Sequence, residues 1–544
     1  MIMATKKMKN MRKILANTLL ITGLLALLII NACKDNIDPI IEELNFDRAF
    51  TPRGLNAHIS SITTLTLNWV ETDNTDHYVV EIYLGTEFTE GNFISTTNVT
   101  STSLVYSLPS GDTQFSARVK SVSSLEGVND SKWVAISFTS GKENLFTGYN
   151  LTMTGIGALT VKWAPGKAVT KLVFIDNGVE TSFDITAEEA TAGSKSLTSV
   201  SNGYYEIRIM NGTFVRGSQY YAVEGDAVLA NGGDLATSIS GLSAGQVLLV
   251  ESGAAFSFTA PLTITNSIKI KGMNTTSLPT IYPATGASST NGMFIIGATD
   301  SIVFQNIKLT GYINNDGGTS GMVTGVFDQG TANACAITKV KFDGCVLEHQ
   351  GRHVIRLRGT ATQTINTLEI NDCIISDFGS NSSSYGIINA NNAAASIANI
   401  KITNSTVYNT QCGLLVYGAS LGCQSVIVDN CTCDQTMLSG TARFLIDFGT
   451  NATSSSGTIT ISDCIFGTTG AAANGVRENL MTLSVSGSHY TSGFVNVANS
   501  ITSSMTAYAG SSSALWTDPA GGIFTFLDQG FTGKNTAGDP RWRP

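Results

Sequence analysis

Charge is scarce in this chain of 544 residues: only 13% are Asp, Glu, Lys or Arg, and the formal net charge is −9. Histidine is limited to five residues. Each shortage excludes something. An acidic balance disfavours nucleic acid or an anionic bilayer as a partner. His349, His353 and His489 have no evident nucleophile partner, so no Ser-His-Asp arrangement presents itself. Cys431 and Cys433 form a CxC, but no His or second Cys pair stands at ligand spacing from them. No run of Asp has the spacing of a Ca²⁺ loop. Beyond Ile14 to Ile30, no apolar run is long enough to span a bilayer. Cysteine is missing between Cys33 and Cys335 and again after Cys464, which argues against a disulfide scaffold.

What is present is a repeat. Val340-Lys-Phe-Asp-Gly-Cys345 returns as Leu368-Glu-Ile-Asn-Asp-Cys373, Ile400-Lys-Ile-Thr-Asn-Ser405, Val426-Ile-Val-Asp-Asn-Cys431 and Ile459-Thr-Ile-Ser-Asp-Cys464. Each copy alternates apolar and polar residues, then reaches Asn, Asp or Gly before a small residue. That is a strand entering a tight corner. Copies 26–33 residues apart with a two-residue period inside them describe a β-solenoid. The column Cys345, Cys373, Ser405, Cys431 and Cys464 points inward with the aliphatics and reads as buried packing.

A second strand precedes each signature at a nearly fixed offset: Val326-Phe-Asp, Val354-Ile-Arg-Leu, Ile387-Ile-Asn-Ala, Leu414-Leu-Val-Tyr and Leu445-Ile-Asp-Phe. Length varies in the loops between one signature and the next such strand, and that face is the expected binding face. The third residues form a column: Asp328, Arg356, Asn389, Val416 and Asp447. Its neighbours are mostly apolar and face in, so alternation turns the column outward as a polar ladder. Arg358 and Asn391 extend it two residues along, beside Gly418 and Gly449. Glu348, Arg352, His353, Arg356 and Arg358 are the dense ionisable cluster of the solenoid, with His353 reading as structural at the start of a strand.

The N-terminus carries Lys6, Lys7, Lys9, Arg12 and Lys13, then the apolar stretch Ile14 to Ile30, then Asn31-Ala32-Cys33. This is a signal peptide, and its removal takes the formal charge from −9 to −14. Its end resembles a bacterial lipobox, which implies cleavage before Cys33 and lipidation of that thiol. Lys34-Asp35 resembles part of the surface-export signal of Bacteroidetes lipoproteins, although Asn36 stands where a further acidic residue belongs. Leu65-Thr-Leu-Asn-Trp69, His77 to Tyr83 and Gln114 to Lys120 resemble strands of a fibronectin type III module, with Trp69, Tyr78 and Tyr83 as core and sheet residues. Phe115 stands where that family has its corner Tyr. Thr160-Val-Lys-Trp163 and Tyr204 to Ile209 echo this pattern in a more divergent module, whose centre, Glu188 to Ser201, reads as a helical turn or a loop.

The fold expected is all-β: N-terminal β-sandwich modules followed by a right-handed parallel β-helix. The divisions are a signal peptide at 1–32, the lipidated Cys33 and tether at 33–49, a fibronectin-like domain at 50–140, a divergent sandwich at 145–221, and the β-helix with its C-terminal cap at 223–544. Leu235 to Gly241 is the expected opening cap, and the tail Gly533 to Pro544 the closing one. The solenoid resembles the pectate-lyase-like β-helices, and the whole resembles Bacteroidetes surface lipoproteins that pair fibronectin-like modules with a β-helix.

The resemblance implies an outer-membrane, lipid-anchored protein facing the cell exterior, with the sandwiches as spacers and glycan-uptake proteins as neighbours. The expected activity is non-catalytic binding of an extracellular polysaccharide by Asp328, Arg356, Arg358, Asn389, Asn391 and Asp447. Tyr385, Tyr408 and Tyr417 are the aromatic candidates on the loop face. No cofactor and no resident metal are expected. A rival is a uronic-acid lyase, with Arg356 as base, Arg358 beside it, and Asp328 and Asp447 orienting the substrate or holding Ca²⁺. A third reading is a structural or adhesive surface protein. Glycosidase action is disfavoured, because Asp328 and Asp447 stand four coils apart, roughly 19 Å at sheet spacing.

Overall fold

The computed structural model describes residues 47–288, 290–418, 421–449 and 454–544. The signal peptide and Cys33 lie outside the described residues. Those described form two compact units divided between Glu143 and Asn144. Among them, no helix is long and apolar enough to cross a membrane.

The first unit is an antiparallel sandwich of three strands on four. Thr64–Val70 lies between Arg53–Ser60 and Ser103–Ser107, while Thr75–Leu84 and Gln114–Ser123 form the middle of the facing sheet. Alternation puts Leu65, Leu67, Trp69, Val80, Ile82, Phe115, Ala117 and Val119 in its core, each 5% exposed or less. Trp69 meets Tyr78 edge-on at 5.3 Å, and Phe115 stacks on Phe138. Trp69, Tyr78 and Tyr83 are therefore all buried core residues.

The second unit opens with another three-on-four sandwich. Ala158–Lys162 is the centre of one sheet, and Lys171–Asp176 with Gly203–Asn211 the centre of the other. Trp163, directly after its strand, is fully buried. The central stretch divides into a short helix, Ala187–Ala192, and a strand, Ser194–Leu197. A capping box between Thr186 and Glu189 starts that helix, and Gly193 in the left-handed region ends it.

This sandwich shares a core with the solenoid. Leu159, Val161, Trp163 and Ile207 pack in one cluster with Val223, Val247, Leu249 and Met273. The strand Val247–Val250 is buried at every position. Leu248 and Val250 face the solenoid core, and Val247 and Leu249 face the sandwich. The expected spacer is thus joined to the solenoid by apolar packing.

The solenoid is a parallel β-helix of three sheets. The signatures build a ten-stranded sheet through Cys335–Asp343, Gln363–Asn371, Ala395–Thr403, Ser425–Asp429 and Thr458–Ser462. The preceding strands build an eight-stranded sheet through Gly325–Gln329, His353–Leu357, Ile388–Ala390, Leu415–Tyr417 and Arg443–Phe448. A third sheet, of ten very short strands such as Val346–Glu348 and Ile374–Ser376, follows each signature corner. Three-residue strands carry too little alternation to be read from sequence.

The corner residue of each signature has positive φ: Gly344 at 61°, Asp372 at 52°, Asn404 at 50°, Asn430 at 51° and Asp463 at 49°. Gly, Asn and Asp recur there because they tolerate this conformation. The residue before is tied from coil to coil. Asn371 donates to Asp343 at 2.8 Å, Thr403 to Asn371 at 2.8 Å, and Ser462 to Asp429 at 2.6 Å. Behind the corner, the cysteine column is at most 1% exposed. Each thiol donates to the carbonyl two residues earlier, and Ser405 and Ser488 make the same bond. Inside, Phe304 stacks on Phe342 at 5.5 Å, and Phe294 contacts Phe327 at 5.7 Å. A buried Phe or Ile contributes about 1.5–3 kcal/mol.

The solenoid is closed at both ends by apolar residues. The helix Leu235–Ser240, capped by Asp234, buries Leu235 and Ile239 at the opening. Phe494 and Ile501 are buried in the same core near the last coils, with Met505 packed against it. The tail is not the end cap expected. Gly538 donates to the Asp463 carbonyl, Asp539 receives the Thr406 hydroxyl and its N–H donates to the Thr432 hydroxyl, Trp542 donates to Thr406, Arg541 to Asp372, and Arg543 to Asn430. It is a strap lying across the corners of four coils. Guanidinium and indole donors find polar partners on that flank, whereas a coil end offers an apolar core to cover.

Candidate functional site

The ladder is in register as the spacing requires: Asp328 pairs with Arg356, Arg356 with Asn389, Asn389 with Val416, and Val416 with Asp447. Its exposure differs from expectation. Asp328 is 6% exposed and Asn389 2%, so this stretch is not an open polar strip. The loop between Ile374–Ser376 and Ile388–Ala390 covers it. Asn389 donates to the Tyr385 carbonyl at 2.9 Å. The guanidinium of Arg356 lies 4.0 Å from the Tyr385 ring centroid, with that of Arg352 at 5.2 Å. Arg443, two coils on, donates to Ser383 and Ser384 at 3.0 Å each and ties the same loop down.

The resulting cluster holds Asp328, Arg352, His353, Arg356, Arg358, Tyr385 and Asn389. Asp328 receives the Thr324 hydroxyl at 3.1 Å and lies 3.6 Å from Arg358 and 3.8 Å from His353 Nε2. Its Oδ1 is buried with no hydrogen-bond partner. Burial pushes its carboxyl up, opposed by Arg358, Arg356 and Arg352. His353 is fully buried, and neither ring nitrogen has a hydrogen-bond partner. Burial, reinforced by the three guanidiniums, pushes its pKa well below 6.5, so it is neutral at pH 7. Gly325 makes room for the ring: a Cβ there would sit 2.4 Å from His353 Cδ2.

Burial also pushes Arg356 down from its ordinary range. The Nε atoms of Arg352 and Arg356 are buried without a hydrogen-bond partner. Three guanidiniums thus face one buried carboxyl group. Such a surplus suits a carboxylate or sulfate, which a guanidinium can take with two parallel bonds.

Of the other sequence candidates, Asp447 stands apart. Val416 interrupts the ladder, and Arg477 on the next coil holds the Asp447 carboxylate with two bonds, 2.6 and 2.8 Å long. Asn391 is exposed and lies over Gly418, where a Cβ would collide with its Oδ1. Glu348 belongs to the short-strand sheet and pairs with Lys308 at 2.7 Å, away from the arginines. Tyr417 is buried against Phe448, its hydroxyl donating to Leu421. Tyr408 is half-buried against Phe524. Asp328 and Asp447 are in different coils with different partners, and among the described residues no group of three or more His, Cys, Asp or Glu is placed to hold a metal ion. Thr324 carried no sequence signal. The Arg352–Tyr385 contact joins residues of adjacent coils, and only the folded loop brings them together.

Residues 254–410 match a domain of unknown function, DUF4957, and residues 426–542 match a second, DUF5123. The arginine cluster lies wholly within the first match, and most of the strap within the second. No curated protein matches the chain. Among solved structures, a two-domain fibronectin type III segment of chicken tenascin is similar at 16% identity, covering 32% of this chain and 98% of that one, with a TM-score of 0.20. The FN1-FN3 domains of chicken CNTN1 are similar at 15% identity, covering 32% and 67%, with a TM-score of 0.14.

Proposed function

We propose that the chain is a cell-surface lipoprotein whose β-helix binds a carboxylate-bearing extracellular polysaccharide without turning it over. The observation that supports this is the convergence of Arg352, Arg356 and Arg358 on one buried carboxylate, with two guanidinium Nε atoms left unpaired. The chain as a whole is acidic, so a polyanion needs a local basic patch, and this cluster supplies one. Anchoring through lipid on Cys33, an outer-membrane location facing outward, and glycan-uptake proteins as neighbours belong to the same proposal, on the strength of the leader sequence. Nucleic acid is not among the proposed partners.

The lyase reading keeps one specific support. Arg356 is shifted toward the range of a usable base, and His353 beside it is neutral. The test uses the full chain with polygalacturonate, alginate and a neutral glucan, with and without Ca²⁺. Retardation in uronate-loaded gels, lost in Arg356→Ala, with no growth of unsaturated-uronate absorbance, is the outcome expected. Absorbance growth abolished by Arg356→Ala would make the protein a lyase. Equal migration in all gels would remove the binding reading.

A further inference from the structure

The exposed aromatic residues best placed to meet a sugar are not on the β-helix loops. Tyr204 and Tyr220 are 65% and 64% exposed, whereas the other described tyrosines are buried or half-buried. They sit on paired strands of the second sandwich, where Tyr204 faces Ala222 and Tyr220 faces Glu206, so they are diagonal neighbours on one sheet face. Their rings are 14° from parallel, with centroids 5.8 Å apart. Two large rings held in parallel and left in water form an unusual surface, because a Tyr ring normally buries its apolar body.

The pair borders a cavity of about 260 Å³ where the sandwich meets the solenoid. The remaining wall sets Leu151 and Met273 beside a group of fixed polar side chains. Lys269 and Lys271 both donate to Glu224 Oε1, at 2.6 and 3.0 Å. Lys271 also lies 5.4 Å from the Tyr221 ring centroid. Gln305 pairs with Lys271 on the adjacent coil, and its amide nitrogen donates to Asp343. Its Oε1 is buried and has no hydrogen-bond partner. A buried acceptor without a donor at a cavity wall points to a donor supplied from outside the chain.

We propose that this cavity is a binding subsite for one pyranose ring of a neutral saccharide. Tyr204 and Tyr220 take the C–H face of the sugar, and Gln305 Oε1 accepts a hydroxyl, with Lys269 and Glu224 as further hydroxyl partners. Three features fix the class of ligand. Flat exposed rings match the apolar face of a pyranose rather than a planar charged group. The two lysines share one carboxylate, so the wall keeps a single surplus positive charge, fewer than the arginine cluster carries. The volume falls just under the ~300 Å³ at which small-molecule pockets begin, which suits one ring with the rest of the chain outside. The inference stands independently of the arginine site.

The test is calorimetry and saturation-transfer NMR on the full chain with four neutral tetrasaccharides: β-1,4-glucan, β-1,3-glucan, α-1,4-glucan and β-1,4-mannan. At least one should bind, with saturation strongest at the ring protons of one residue. Tyr204→Ala and Tyr220→Ala should each weaken it about tenfold or more, while Tyr220→Phe, which keeps the ring, and Arg356→Ala should leave it within about twofold. Unchanged circular dichroism in the two alanine variants, whose side chains are exposed, excludes misfolding as the cause. Binding by none of the four, or binding that survives both alanine substitutions, would overturn the proposal. Loss with Arg356→Ala instead would assign the sugar to the other site.

Discussion

Arg541 reaches back 169 residues to Asp372, donating to its carbonyl at 2.7 Å and its carboxylate at 2.6 Å. The contact ties the C-terminal strap to a corner in the middle of the solenoid. Nearby, Asp539 is fully buried and satisfied by Thr406, Thr432 and Arg541.

These two anchors should differ in strength. Asp372→Asn weakens only the exposed pair, in which the Asp372 side chain is 58% exposed, and should cost about 1 kcal/mol or less. Asp539→Ala takes the carboxylate acceptor from the buried Thr406 hydroxyl and from the Arg541 N–H groups and should cost about 1–3 kcal/mol. Chemical denaturation of the two variants checks the order. Hydrogen exchange should rise at the corners from Asp372 to Asp463 in Asp539→Ala and hardly change in Asp372→Asn.

His353 should make the solenoid acid-sensitive. Its folded pKa lies well below 6.5, so unfolding takes up a proton once the pH falls below 6.5. The stability it contributes is in place above that pH and declines below it, at up to about 1.4 kcal/mol per pH unit. Asp328 acts oppositely: its raised carboxyl costs stability as pH climbs from 3.8 through the folded value. Melting His353→Asn beside the parent chain between pH 7 and pH 5 isolates the imidazole. The gap should narrow as pH falls, and a constant gap would show that His353 does not titrate on unfolding.

The arginine cluster and the Asp447–Arg477 pair should separate in binding. Asp447→Asn should leave uronate retardation unchanged, while Arg356→Ala abolishes it. Gly325→Ala touches no arginine, yet its methyl would displace the His353 ring beneath them. It should weaken retardation and cost roughly 1–3 kcal/mol in stability, as overpacking does.

The cysteine column should be inert and replaceable. Cys373 and Cys431 are pushed well up by burial, and the described cysteines are all buried and free. A disulfide-exchange reagent should therefore leave Cys335 to Cys464 unmodified in the native chain and titrate them in denaturant. Cys373→Ser should cost about 1 kcal/mol or less, because Ser405 already makes the column's carbonyl bond at 2.7 Å. Cys373→Leu should cost more, about 1–3 kcal/mol.

The solenoid could be read from sequence because its information is periodic. Asp343, Asn371 and Asp429 recur for one physical reason, and the following corner residues for another. The register Asp328–Arg356–Asn389 followed from the same spacing. What could not be read depends on non-periodic segments. The loop bearing Tyr385 roofs the ladder and turns an expected open face into a closed cluster, and no alternation rule predicts where a loop folds. The strap escaped for a similar reason: Trp542 and Arg543 suggest a terminal plug, but their partners, Thr406 and Asn430, are side chains on the flank. Tyr204 was legible as a strand residue, while its pairing with Tyr220 depends on the register of a hairpin.

The fully buried strand Val247–Val250 limits how the chain can be divided. Because Leu248 and Val250 belong to one core and Val247 and Leu249 to the other, this strand has no solvent face to lose. A fragment cut near residue 223 to isolate the solenoid would bare Val247, Leu249 and Met273, an adhesive apolar edge on a sheet with unpaired strands nearby. The smallest soluble piece containing the arginine cluster should begin near residue 144.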